Sequence, residues 1–180
     1  THCIESFACP NFHPICDGVA LQGMRLIKKY LPIAYKDGKN VEARSHMLLG
    51  AALGAMAFQK NMGAVHSLSH PVGAFFDAHH GLTNGVLLPY VMEYNQQYVK
   101  DRYETMAHVL GLKDKSNKGF IDWLISFKEE LGVPKSLRDL GGKEDRFADM
   151  AEQALRDPNT SGNSRPMKLE NFAELISLSY

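Results

Sequence analysis

The sequence is poor in the features that announce several common classes of protein. It has only three cysteines, Cys3, Cys9 and Cys16, an odd number with no C-x-x-C pair. That excludes a disulfide framework and a cysteine zinc cluster, and suits reduced thiols in a cytoplasmic protein. It has no excess charge: 20 Lys and Arg balance 20 Asp and Glu. A chain of zero formal net charge offers no electrostatic footing for nucleic acid or an anionic membrane. The longest apolar run, Met47 to Phe58, falls short of the about 20 residues that span a bilayer. No signal peptide, internal repeat or low-complexity tract is visible. No stretch alternates with period two for long enough to predict a strand.

What remains is a helical pattern. The 180 residues are 44% apolar, enough for one domain that buries roughly 70% of its unfolded surface. The chain opens without Met in an apparent helix, Thr1 to Ala8, which is too short to stand alone. The expectation is a single helical domain over residues 1–180, a fragment of something longer. Cys9 to His13 reads as a turn. Pro14 suits a first helical position, and the pattern predicts a helix to Tyr30, with Ile15, Val19, Met24, Leu26 and Ile27 recurring at helical spacing and Pro32 as its stop. A turn at Lys36 to Lys39 and a cap at Asn40 introduce Val41 to Lys60, apolar almost all round and so expected to be the central, buried helix. Gly50 and Gly54 within it predict a close helix–helix approach. Further helices are expected at Met62–Phe76, Gly81–Tyr98, Tyr103–Leu110, Phe120–Leu131 (capped by Ser116), Glu144–Leu155, with Leu155 inward, and Leu169–Ser177. Asp157 to Pro166 is the longest loop. The fold class is all-α, an antiparallel or orthogonal bundle of about eight helices.

Four of the eight histidines fall between Gly63 and Asn95: His66, His70, His79 and His80. His66 and His70 are one helical turn apart and share a face. Pro71 follows and is expected to kink or loosen the helix. His79-His80-Gly81 then opens the next helix, so imidazoles stand where one helix ends and another begins. That is a way to aim two or three neutral nitrogens at one metal ion. A hydrolytic zinc site of the H-E-x-x-H kind is disfavoured, because Ser67 stands where the general base belongs. His46 and His108 read as core or surface residues, the cysteines and methionines as packing, Asp77 as a turn or cap, and Phe58 and Phe75 as core with a pocket wall as the alternative.

The run G-x-V-H-S-L-S-H-P-V-G followed by H-H-G-L-T-N-G-V-L-L-P-Y-V-M-E-Y-N resembles the signature of the iron-dependent (group III) alcohol dehydrogenases. The matching positions are His66, His70, Gly73, His80, Gly81, Asn84, Pro89 and Asn95. The opening T-H-C-I-E-S-F is similar to that family's D-A-x-x-H-x-x-E segment at His2 and Glu5, and N-S-R-P-M-K-L-E-N to its C-terminal end. The resemblance covers the helical C-terminal half, a dehydroquinate-synthase-like C-terminal domain. It implies metal ligation by His2, His66 and His80, with an aspartate four residues before His2, outside this chain. It places His70 beside the nicotinamide and substrate as a catalytic, proton-handling group. His79 stands where the family has Pro, which makes it a rival to His80; the interval from His66 favours His80.

The resemblance further implies Fe²⁺ or Zn²⁺ as metal, NAD or NADP bound mainly by an N-terminal nucleotide-binding domain, and a small alcohol or aldehyde substrate. It implies a homo-oligomer such as a dimer, and a fragment inactive alone. The alternatives are a zinc glycerol-dehydrogenase-like enzyme and a non-catalytic helical metal-binding module.

Overall fold

A computed structural model describes residues 1–180. Nine α-helices carry the chain: α1 (His2–Ala8), α2 (Pro14–Lys36), α3 (Val41–Ala57), α4 (Ala64–Phe76), α5 (His80–Asn95), α6 (Lys100–Val109), α7 (Asn117–Glu130), α8 (Phe147–Arg156) and α9 (Leu169–Leu178), with short 3₁₀ turns between some of them and no strand. No helix is long and apolar enough to cross a membrane. The local chemistry sets most boundaries. Asn40 accepts from the amide of Ala43 and Ser116 from that of Gly119, each capping the helix that follows. Gly111 and Gly132 adopt positive φ just past α6 and α7.

Pro32 does not stop its helix as expected. Like Pro71 and Pro89, which fall inside helices the pattern already carried across them, it lies within a continuous helix. Each removes one backbone hydrogen bond. Ending α2 at Pro32 would also forfeit part of its packing on α3, the most extensive helix–helix contact in the molecule. That contact rests on glycine. A Cβ on Gly50 would come within 2.9 Å of Ile27 Cγ1, and one on Gly54 within 3.1 Å of His2 Cβ. So α2 and α1 approach the α3 backbone more closely than a side chain allows.

The helix at the centre is α4, not α3 as the pattern suggested. Ala64 to Ser69 are all buried, whereas Leu48, Leu49 and Met56 of α3 are exposed, as are Ile15, Leu82 and Leu155 on their helices. Small and apolar residues on every side of α3 conceal which face is inward. On α4 the buried polar groups are satisfied locally: Ser67 donates to the carbonyl of Gly63 and Ser69 to that of His66. α4 contributes Ala64, Val65, Leu68 and Val72 to one apolar core that also includes Leu87, Met92, Tyr103, Phe120 and Phe172. Asp77, in the left-handed region at φ 51°, ends α4. The reversal over Ala78 and His79 lays α5 back along α4.

Candidate metal centre

The start of α1, the first turns of α4 and the first turn of α5 bring four imidazoles together. The His2 and His66 rings stack with centroids 4.9 Å apart, and the His66 and His80 centroids are 5.3 Å apart. His70 lies one turn beyond His66, 6.0 Å from its ring and 5.6 Å from that of His80. The cluster is graded in depth. The His66 side chain is 1% exposed and forms the floor; that of His70 is 45% exposed, at the mouth.

Glu5 sets the orientation of His66. It lies on α1 one turn after His2, hence on the same face. Its buried carboxylate accepts the His66 Nδ1–H at 2.5 Å and the Val65 amide at 2.8 Å. An anion is favoured at a helix N-terminus, so one side chain both caps α4 and fixes the tautomer of its histidine. With the proton on Nδ1, His66 turns the lone pair of Nε2 inward. This is the carboxylate–histidine arrangement found behind metal ligands. Asn163 completes the cap by accepting from the Ala64 amide, and it pairs amide to amide with Asn95, both bonds at 2.9 Å.

Burial, and then the neighbouring His66, pushes the His2 pKa down to about 4. Burial and the flanking imidazoles lower that of His80 as well. Both rings are therefore neutral at pH 7, the protonation state a metal ligand needs. His79 is otherwise engaged: its Nδ1 accepts the Leu82 amide and caps α5. The carboxamide of Asn84, one turn after His80, reaches between the two rings, with Nδ2 3.3 Å from His66 Nε2 and 3.1 Å from His80 Nε2. As placed, no group of three or more His, Cys, Asp and Glu side chains stands where together they could hold a metal ion. The donor set nonetheless fits a divalent cation: three imidazoles from three elements, at least two of them neutral, and the deepest backed by a carboxylate.

At the mouth, His70 Nδ1 donates to Asp157 Oδ2 at 2.7 Å. Burial works against the charge on Asp157, but the hydrogen bonds from His70 and Asn159 outweigh it and hold the carboxyl below the usual carboxylate range. The Asp157–Pro166 segment, which sequence marks only as a long loop, is thus a structural part of the site. It also ties Ser164 to the Ala8 carbonyl and Arg165 to the Tyr94 carbonyl. Phe58 stands edge-on to the His2 ring at 5.0 Å. Phe75 instead packs on Phe76 and under Arg146. An apolar cavity of about 210 Å³, lined by Met24, Leu88, Trp123 and Phe127, is also lined by Thr1 and Gly81, each adjacent in sequence to a histidine of the cluster. His46 stacks on Tyr30, away from the cluster, and the three cysteines are buried and unpaired.

Comparison with known proteins is consistent across sequence and structure. Residues 1–180 match the model of the Fe-containing alcohol dehydrogenase family, C-terminal. A 1,3-propanediol dehydrogenase of Klebsiella pneumoniae is 34% identical over 184 residues, covering 98% of this chain and 47% of the relative. Alcohol dehydrogenase 4 of Saccharomyces cerevisiae is 36% identical over 183 residues, covering 100% and 48%. The crystal structure of a 1,3-propanediol oxidoreductase superposes with a TM-score of 0.96 at 33% identity, over all of this chain and 49% of that one. The chain spans about half the length of the curated relatives it matches.

Proposed function

This chain belongs to the Fe-containing alcohol dehydrogenase family as its C-terminal part, and from that premise we propose that it is the metal-binding half of an NAD- or NADP-linked enzyme interconverting an alcohol and an aldehyde or ketone. The observation that carries this is the convergence of His2, His66 and His80 from three helices, with Glu5 behind the deepest ring. These three histidines would hold Fe²⁺ or Zn²⁺. When bound, the cation supplies Lewis acidity toward the alcohol oxygen and the nicotinamide supplies the hydride acceptor.

The chain's own residues do the rest. Glu5 keeps the His66 proton on Nδ1. His70, exposed at the mouth, hands a proton between the reacting oxygen and solvent through Nε2, while Asp157 holds its Nδ1–H and so its tautomer. The apolar cavity beside Thr1 and Gly81 gives a dry wall for the carbon skeleton of a small alcohol. A nucleotide-binding domain N-terminal to this chain is the partner for the open side of the histidine cluster, and a second copy is the partner in a homo-oligomer. The three unpaired thiols suit a cytoplasmic setting.

Metal analysis after exhaustive dialysis tests the assignment. In the enzyme that joins this chain to its nucleotide-binding half, His66→Ala and His80→Ala lose the bound divalent metal and the alcohol-dependent reduction of NAD or NADP; His79→Ala retains the metal. A His80→Ala protein with undiminished metal content overturns the ligand set and transfers the role to His79.

A further inference from the structure

The molecule buries two lysines, Lys60 and Lys128, in different surroundings. Lys60 is 4% exposed and paired, its Nζ 2.6 Å from Asp17 Oδ1. Lys128, on α7, is 9% exposed. It makes no ion pair; the carboxylate that acts on its charge is Glu129, next to it in sequence. Its one hydrogen bond is long, 3.5 Å to the Val86 carbonyl of α5, although an ammonium has three hydrogens to place. The Tyr90 ring stands 6.0 Å from Nζ, at the limit of a cation–π contact. Lysines usually bury the stem and keep the charged head in water, and they are almost never this buried without a partner. Burial holds the Lys128 pKa below the ordinary lysine value, and Glu129 opposes it only in part.

Space adjoins this amine. Lys128 lines the apolar cavity of about 210 Å³ described above, with Trp123, Phe127 and Val133. It also lines a second cavity of about 230 Å³, where Tyr90, Glu93, Glu129 and Lys135 are its ionisable neighbours. The apolar cavity has one other side-chain amine, that of Lys28, and it is spent on the Leu110 carbonyl at 2.5 Å. A desolvated, unpaired amine beside apolar walls is what makes a lysine nucleophilic toward carbonyl compounds.

We propose that Lys128 is an aldehyde-capture site, whose amine forms an imine with a small apolar aldehyde seated in the adjoining cavity. The nitrogen lone pair attacks the carbonyl carbon and a C–N bond forms. The aldehyde oxygen then leaves as water with the two hydrogens of the amine, and a C=N bond remains. No oxidant or reductant is consumed, and the step reverses on adding water. The choice of an aldehyde rests on the activity proposed above; the amine and its cavities stand apart from it.

The test is reductive alkylation of the enzyme that joins this chain to its nucleotide-binding half. Propanal is the probe, in limiting amount at pH 7 with cyanoborohydride, whose hydride fixes any imine as a propyl-lysine. Peptide mass mapping gives the rate at each lysine of this chain. Lys118 is the exposed comparison, its side chain 75% exposed and its pKa raised by the hydrogen bond to Asp122. Lys60 is the buried, paired one. Exposure alone ranks Lys118 well ahead of Lys128. The expected result ranks Lys128 first, by about tenfold over Lys118, because the free-amine fraction at fixed pH changes tenfold per unit of pKa. Lys60 should be slowest, and the advantage of Lys128 should vanish in urea. Lys128→Arg keeps a cation but cannot form an imine, so it loses the fast site and no other. Labelling of Lys128 at or below the rate of Lys118 in the folded enzyme overturns the proposal, as does a fast rate that survives in urea. The reaction needs neither metal nor nicotinamide. Its failure therefore leaves the histidine centre standing, and a failed metal assignment leaves the labelling result standing.

Discussion

At the scale of single residues, the site depends on which nitrogen of each imidazole carries the proton, and Glu5 decides this for His66. Glu5→Gln isolates the effect. The glutamine oxygen can still accept from the Val65 amide, but its NH₂ faces His66 Nδ1 and drives the proton to Nε2, where the lone pair is needed. We expect a folded protein whose affinity for Zn²⁺ or Co²⁺ falls about 10–100-fold, measured by competition with a chelator. Glu5→Ala should also unfold more easily, by about 2–4 kcal/mol in urea, because two buried donors lose their acceptor. Asp157 gives a pH signature. Its folded pKa lies below its unfolded value of about 3.9. The stability it contributes is therefore complete above that value and lost as pH falls through the folded one. Asp157→Asn should lower the urea midpoint at pH 6–7, and the gap from wild type should close as the pH is taken toward 3. The sequence revealed these residues unequally. Glu5 and Asn84 sit one turn from His2 and His80, within reach of the helical-periodicity rule, yet they entered only as matched motif positions. Asp157 gave no local signal, since its partner His70 is brought to it only by tertiary folding.

At the scale of elements, helix existence and caps were legible because they depend on neighbours in sequence: Asn40, Ser116, Gly111 and Gly132 act where their chemistry predicts. Helix interiors and burial were less so, because packing decides them. Pro32 was outweighed by the α2–α3 contact, and the uniform apolar surface of α3 hid an outer face bearing Leu48 and Met56. Glycine substitutions separate local preference from packing. Gly18 in α2 has no atom within 4 Å of an added Cβ, so Gly18→Ala should stabilise by about 0.5–1 kcal/mol from helix propensity alone. Gly54→Ala has the same local gain, but its methyl would press on His2 Cβ and Cys3 Sγ at 3.1 and 3.3 Å. Pushing α1 off α3 costs about 1–3 kcal/mol and displaces His2. The expected outcome is a net loss of stability in urea together with weaker metal binding. A Gly54→Ala protein as stable as Gly18→Ala would mean that α1 can slide without strain.

At the scale of the whole molecule, the three histidines belong to helices that otherwise meet through different contacts. α1 rests on α2 and α3, α4 on α5 and α8, and α5 also on α7. A cation shared by His2, His66 and His80 would cross-link these groups, and it would bind the folded chain but not an unfolded one in which the imidazoles are far apart. Linkage then makes metal a global stabiliser. At a free metal concentration one hundred times the dissociation constant, the gain is about 2.7 kcal/mol. For a domain of this size each kcal/mol moves the melting temperature by about 2–4 °C. The expected rise on adding Zn²⁺ to chelator-treated protein is therefore about 5–11 °C, dependent on metal concentration and abolished in His66→Ala. The shift should appear in a single transition, because α1, α4 and α5 share one apolar core. If instead a low-temperature step separated from the main melt and only that step moved with Zn²⁺, the ion would be tethering α1 locally rather than locking the bundle, and His2 would be a peripheral ligand.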